Sequence, residues 1–261
     1  MKKTIAAALT CAAVLAACGG GGDTTPASPT AKISFYGNPL QQAGTSQATA
    51  KVAAVAHAAS DAPASDAATQ TVQTLTQALA AQGVTADVTP QVMNGTTLHA
   101  LIMGENNGLP PTQDQFKTDP SGFIVANFQL DDMVTRNDDP AQVAALAQFQ
   151  QDLYTFIQRA HVAGKLTFVV LPIRTCDQPF GKSAADGVIQ AATTAASLSA
   201  GYAVGGVPYN AVSDANGVFT DTVTAGHMGP DCRTPDAYLV NMATQNMAER
   251  MAPVLKDGLS K

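Results

Sequence analysis

The sequence lacks tryptophan altogether, and aromatic residues make up only 5% of its 261 positions. Charged residues are also scarce, at 13% against about a quarter in an ordinary soluble domain. Basic residues are outnumbered, so the formal net charge is -6. Because binding to phosphate backbones needs clustered Lys and Arg, we expect no nucleic-acid partner. The hydrophobic share of 46% indicates one globular domain and excludes a disordered acidic chain.

Long apolar runs are missing except near the amino terminus, where Lys2 and Lys3 precede an apolar stretch over 5–17. That stretch is shorter than the roughly 20 residues that span a bilayer, so it predicts an export signal. It ends in Leu-Ala-Ala-Cys18-Gly19, which resembles the lipobox of bacterial lipoproteins. The resemblance implies a signal peptide over 1–17, a lipid on Cys18 and, from Gly19, sorting to the outer membrane. An ordinary secretory signal with a chance cysteine is the alternative.

Cysteine is the next scarce residue, with four in the chain. Cys11 lies in the expected signal and Cys18 would carry the lipid, which leaves Cys176 and Cys232. In an oxidising envelope compartment, such a pair predicts one disulfide. No Cys-x-x-Cys or His-x-x-x-His spacing occurs in the sequence, so we expect neither a metal nor another cofactor.

Beyond the anchor, residues 18–31 are rich in Gly, Pro and Thr and predict a flexible linker, which leaves a domain over 32–261. Short apolar runs predict strands over 32–37, 84–88, 122–128, 165–172 and 202–207. Amphipathic stretches predict helices over 65–82, 140–164 and 184–199, and a final helix that starts at 234–236. The alternation indicates an α/β fold, a three-layer α/β/α sandwich around a five-stranded parallel, flavodoxin-like sheet.

Ligands of open parallel sheets bind at the carboxyl ends of the strands, so the residues after each strand carry the functional information. Here these are Gly37 after the first strand, Gly95-Thr-Thr after the second, Asn127-Phe-x-Leu-x-Asp after the third and Asp231-x-x-x-Pro before the last helix. Their order and spacing resemble the SGNH (GDSL-type) hydrolases. The resemblance implies the fold described above and a serine-dependent ester hydrolase ancestry.

The nucleophile and the base of that family have no equivalent at the matching positions. The family's Gly-Asp-Ser is matched by Gly37-Asn38-Pro39, and proline has neither a hydroxyl nor a backbone N–H. The family's Asp-x-x-His is matched by Asp231-Cys-Arg-Thr234, so the acid is kept and the base is replaced. A role as helix N-cap accounts for Thr234.

The oxyanion-binding groups of the family are matched only in part. Gly95 could offer its amide, or Asn94-Gly95 could simply form a turn. Asp131 stands where the family has Asn, and a carboxylate would repel an oxyanion. A competing alignment places 104–107 in this block, but those residues lack a buried strand before them.

Two further sets of residues are candidates for function. His227 could act as a relocated base with Asp231 as its orienting acid and Thr45 or Ser46 as nucleophile. The four acids Asp131, Asp132, Asp177 and Asp231 could line a cleft for a cation or a basic group, or be solvated loop residues.

These observations indicate a degenerate SGNH-type domain on an envelope lipoprotein. The leading hypothesis is that it has lost ester hydrolysis and binds a glycan, an acyl group or an envelope protein. The alternative is a divergent esterase or acyltransferase that uses His227 and Asp231. A purely structural spacer in the envelope is the third possibility.

Overall fold

The computed structural model describes residues 29–46, 66–92, 96–104, 112–130, 133 and 135–260. In chain order the elements are β1 (Ala31–Gly37), α1 (Asp66–Ala81), β2 (Ala86–Val92), α2 (Leu98–Met103), α3 (Gln113–Thr118), β3 (Phe123–Asn127), α4 (Pro140–Val162), β4 (Leu166–Leu171), α5 (Ala184–Leu198), β5 (Tyr202–Gly205), β6 (Ala211–Ser213), β7 (Phe219–Asp221), α6 (Thr222–Gly226) and α7 (Ala237–Leu259). Among these residues, no helix is long and apolar enough to cross a membrane.

The main sheet is parallel throughout, with the strand order β2-β1-β3-β4-β5. The central strand β3 is buried along its whole length, as its nearly continuous apolar run requires. One face of the sheet packs against α1 and α7, and the other against α2 to α5. The predicted three-layer α/β/α sandwich with a five-stranded flavodoxin-like sheet is therefore confirmed.

The longest predicted helix has the expected ends. Asp139 caps α4 and accepts a hydrogen bond from the Ala141 N–H at 2.9 Å, and Pro140 occupies the first turn. Gly164 follows the helix with a φ of +78°. The buried stripe of α4 runs through Phe149, Leu153 and Phe156, and Val143 lies off this stripe with its side chain 50% exposed.

Three predicted boundaries were wrong. Residues 84–85 do not belong to β2, because the Val84 N–H bonds to the Leu79 carbonyl and completes the end of α1. β5 ends at Gly205, because Gly205 and Gly206 both have positive φ and turn the chain away. The N-cap of α7 is Asp236, whose side chain accepts the Leu239 N–H, so the helix starts after the predicted Thr234.

Candidate functional site

The residue in the family's nucleophile position is held at the end of β1. Gly37 has a φ of +99° and packs so closely on Asn127 that a Cβ atom would lie 2.3 Å from the Asn127 carbonyl oxygen. The buried Asn127 amide donates to the Asn38 carbonyl at 2.8 Å and to the Pro39 carbonyl at 3.2 Å. Asn38 in turn donates its N–H to the Asn127 carbonyl at 2.7 Å. These bonds hold the turn after β1 against the end of β3, and the residue in the nucleophile position, Pro39, has no reactive group.

Two family positions lie outside the described residues. They are Gly95 and Asp131. Asp132 also lies outside the described residues, so the sequence-based hypotheses about all three residues stay predictions. Of the competing segment 104–107, the structure describes Gly104 alone. It ends α2 with a φ of +75°, which is an ordinary helix C-cap.

The family's acid position, Asp231, is used to organise its own turn. Its carboxylate accepts the N–H groups of Arg233 and Thr234, each at 3.0 Å, and the Thr234 hydroxyl at 2.7 Å. The bond from the Arg233 N–H, followed by the bond from the Thr234 hydroxyl, lowers the pKa of Asp231 below its ordinary value. Thr234 therefore donates its proton to a carboxylate and cannot replace a histidine base.

His227 is paired with Asp236 and not with Asp231, the partner named in the hypothesis. The ring Nδ1 lies 2.8 Å from Asp236 Oδ2, and the ring stacks on Tyr238 with centroids 4.1 Å apart. The reason is local: the Asp236 N–H bonds to the His227 carbonyl at 2.9 Å, while both oxygens of Asp231 face its own turn. The bond from His227 also lowers the pKa of Asp236. The result is an exposed His–Asp pair on the loop before α7.

The candidate hydroxyl residues lie on a neighbouring segment. The Gly44 N–H donates to the Pro235 carbonyl at 3.0 Å, which brings the residues after β1 against the loop that carries His227. The Thr45 hydroxyl donates to the Gln42 carbonyl at 2.6 Å. The sequence-based hypothesis thus named segments that do meet, although Thr45 has its proton committed elsewhere.

A small depression, here called the strand-end cleft, lies between the carboxyl ends of the strands and α7. It has a volume of about 40 Å³ and is mainly apolar, with walls from Leu40, Asn127, Val170, Ile173, Val240 and Met247. This volume holds about two or three ordered water molecules, far less than an acyl chain or a sugar. The Asn127 side-chain oxygen is buried there without a hydrogen-bond partner among the described residues.

A larger and more polar cavity opens beside it, in the loop that follows β4. This β4–α5 cleft has a volume of about 270 Å³ and lies between residues 174–180, Asp186 and, from the β6–β7 hairpin, Val218, Thr220 and Asp221. The Phe180 N–H donates to the Phe219 carbonyl at 3.0 Å and joins the loop to the hairpin. The walls of the cleft therefore come from two segments that are far apart in sequence, the loop after β4 and the β6–β7 hairpin.

One side of the β4–α5 cleft is built around Arg174. Its guanidinium forms an ion pair with the buried Asp186 and lies 5.0 Å from the ring centroids of both Phe180 and Tyr209. Asp186 also accepts the N–H groups of Gly181 and Ser183. Since these bonds fix the carboxylate, Arg174 has one preferred position against the two rings.

The other side of the cleft contains the predicted disulfide, which the structure confirms between Cys176 and Cys232. Next to it, Arg233 donates to Asp177 Oδ2 from Nε at 3.0 Å and from Nη2 at 2.6 Å. Asp177 is thus a buried, paired acid and not the solvated loop residue of one sequence-based alternative; the acidic cleft stays a prediction, because Asp131 and Asp132 lie outside the described residues. Among the described residues, no group of acids, histidines and cysteines could hold a metal ion.

Sequence reasoning missed Arg174, Phe180 and Tyr209. Arg174 follows β4 within three residues, so the rule applied to the other strand ends could have selected it. Tyr209 gave no usable signal, because its position depends on the short β6–β7 hairpin.

No family model and no curated protein matches the chain. Several solved structures are similar in fold. A proposed SGNH hydrolase from Slackia heliotrinireducens is 14% identical with a TM-score of 0.46, over 85% of this chain and 99% of that one. TesA is 16% identical with a TM-score of 0.47, over 85% and 99%. The esterase EstA from Pseudoalteromonas sp. is 11% identical with a TM-score of 0.47, over 86% and 98%.

At these identities the likeness concerns the fold alone. The five-stranded α/β fold that the resemblance implied is the one observed in this chain. The activity of this chain depends on its own residues.

Proposed function

We propose that this chain is an envelope lipoprotein whose SGNH-like domain binds a ligand and does not hydrolyse esters. The observation that supports this most directly is Pro39 at the end of β1, with its carbonyl bound by Asn127. A proline offers no hydroxyl to attack an ester and no N–H to stabilise an oxyanion. Loss of the nucleophile alone costs a serine hydrolase about 10⁶-fold in kcat.

The base position supports the same proposal. Thr234 donates its hydroxyl proton to Asp231, so neither group is arranged to accept a proton from a nucleophile. The strand-end cleft, at about 40 Å³, also leaves no room for an acyl group. Binding would therefore use the β4–α5 cleft, which lies beside the strand-end cleft.

The membrane anchor is part of the proposal and depends on Cys18. Cleavage before Cys18 would leave a cysteine whose sulfur is joined by a thioether bond to a diacylglycerol, and residues 18–31 would connect this anchor to the domain. Intact-protein mass spectrometry of the membrane fraction tests this. We expect a mass increase from lipid that disappears in Cys18→Ser; an unlipidated wild-type protein in the soluble fraction would contradict the anchor.

Hydrolysis of p-nitrophenyl esters, from acetyl to octanoyl, tests the loss of activity. We expect the purified full-length protein to match the buffer rate, and His227→Ala to change nothing. His161→Ala is the matched control, because His161 is an exposed histidine on α4, away from the loop of His227. A rate above buffer that His227→Ala abolishes and His161→Ala retains would contradict the proposal.

One observation favours a second candidate, a divergent esterase or acyltransferase. His227 is hydrogen-bonded to Asp236, as a general base is to its orienting acid, and the segment of Thr45 and Ser46 lies against the same loop through Gly44 and Pro235. This candidate predicts ester hydrolysis that falls on replacement of either His227 or Asp236. Equal rates in wild type, His227→Ala and Asp236→Asn would eliminate it.

A further inference from the structure

The β4–α5 cleft contains buried polar atoms that the described part of the protein leaves unpaired. Thr175 is 6% exposed and the Asp177 side chain is 10% exposed, yet Thr175 Oγ1 and Asp177 Oδ1 have no hydrogen-bond partner among the described residues. Both residues line the cavity. Buried polar groups nearly always have a partner, so two unpaired oxygens at one cavity point to a molecule that supplies the missing bonds.

The chemistry of the unpaired atoms defines what this molecule must offer. Asp177 Oδ1 can only accept, and its other oxygen is already bound by Arg233, so it needs a donor such as a hydroxyl. The Thr175 hydroxyl can donate or accept a hydrogen bond, so it can pair with a second hydroxyl of the same ligand. Arg174 bonds to Asp186 through Nη1, and its guanidinium has further N–H groups that can donate to a hydroxyl oxygen.

The charges of the cleft argue against an anion. Arg174 is neutralised by Asp186 and Arg233 by Asp177, and Asp221 adds a further carboxylate to the lining. Asp221 accepts the Val223 N–H at 3.1 Å and is fixed in place. A phosphate or carboxylate ligand would meet an excess of negative charge, whereas an uncharged molecule with several hydroxyls would not.

Aromatic rings provide the apolar part of the surface. Phe180 lines the cavity, and Tyr209 packs beside it and Arg174 with ring centroids 4.9 Å apart and is 57% exposed. Ring faces of this kind pack against the C–H faces of a sugar ring, while the hydroxyls at its edge bond to polar side chains.

We propose that the β4–α5 cleft binds a neutral sugar unit of a glycan, a proposal that rests on the binding function proposed above and names its ligand. Thr175 and Asp177 bond to sugar hydroxyls, Arg174 donates to a further hydroxyl oxygen, and Tyr209 packs on the ring. A volume of about 270 Å³ is just below the usual 300–1,000 Å³ of drug-sized ligand sites and suits one ring of an oligosaccharide.

The test uses the full-length protein in detergent on an array of neutral oligosaccharides built from glucose, galactose, mannose and N-acetylglucosamine, with sialylated glycans beside them. Calorimetry then gives the Kd for the best neutral ligand. We expect neutral glycans to bind, and Thr175→Val and Tyr209→Ala each to weaken binding at least tenfold. Thr167→Val is the matched control, since Thr167 Oγ1 is also buried and unpaired but lies in β4 outside the cleft lining.

Folding is monitored separately. Because the Thr175 hydroxyl has no partner in the described protein, Thr175→Val should unfold at the wild-type temperature or above it. Absence of neutral glycan binding, binding of sialylated glycans alone, or equal Kd values for wild type, Thr175→Val and Tyr209→Ala would overturn the proposal. Ester hydrolysis by the same preparation would refute the proposal that the domain only binds. Absence of glycan binding without ester hydrolysis would refute the sugar ligand alone, so the two failures can be told apart.

Discussion

Removal of the Cys176–Cys232 disulfide should destabilise the domain by a calculable amount. The two residues are 56 positions apart, so the bridge closes a loop of nearly sixty residues. The loop-entropy relation gives about 4 kcal/mol for a loop of this length at 25 °C. Natural domains have about 5–15 kcal/mol of stability in total, so this is a large share. For a domain of 150–250 residues it corresponds to a fall in Tm of roughly 8–16 °C.

The assay is thermal unfolding of wild type and of Cys176→Ser/Cys232→Ser, each with and without dithiothreitol. We expect reductant to lower the Tm of wild type to that of the double variant, and to leave the variant unchanged. The backbone bond from the Cys176 N–H to the Cys232 carbonyl, at 3.0 Å, survives the substitution, so the loops should loosen without separating.

Two results would refute this reasoning. One is a wild-type protein with two free thiols after export, which would mean that the bridge does not form. The other is a double variant whose Tm equals that of wild type, which would mean that the loop is held by its other contacts.

Three further predictions concern the strand ends and the loop before α7. Gly37→Ala should destabilise the domain severely, because its Cβ would lie 2.3 Å from the Asn127 carbonyl oxygen at a φ of +99°; a Tm equal to wild type would contradict the close packing. Asn127→Leu should cost about 2–3 kcal/mol in denaturant unfolding, because it removes both bonds to the turn around Pro39; no change in the unfolding midpoint would show that the turn does not need them. The lowered pKa of Asp231 gives stability that is present above its ordinary value of 3.8 and is lost as the pH falls through the folded-state pKa. Asp231→Asn should therefore reduce the fall in Tm as the pH drops below 3.8. An unchanged slope of Tm against pH would show that Asp231 does not contribute this stability.

The sequence predicted the sheet and the long helices because their patterns are strong and local. The apolar run of β3 and the Asp139-Pro140 start of α4 each determine one element without help from the rest of the chain. The β6–β7 hairpin was missed because its strands have three residues each and exposed side chains such as Phe219. Such a hairpin is stabilised by pairing and by its contact with Phe180, which no local pattern reports.

The site was predictable at the strand ends and not beyond them. Pro39 and Thr234 could be placed by their distance from neighbouring motifs, and in the structure the Pro39 carbonyl accepts from Asn127 while the Thr234 hydroxyl donates to Asp231. The partner of His227 could not be predicted, because Asp231 and Asp236 are both near in sequence and only the folding of the turn selects Asp236. The β4–α5 cleft needs contacts between residues some forty positions apart, such as Phe180 and Phe219.

Covalent labelling with a fluorophosphonate probe tests the central claim most directly. Such probes react with an activated serine or threonine whether or not the substrate is known. We expect that the full-length protein, measured by intact mass after labelling, gains no phosphonate adduct, and that Ser46→Ala behaves identically. An adduct on wild type that disappears in both Ser46→Ala and His227→Ala would contradict the loss of hydrolase chemistry and establish a relocated active site.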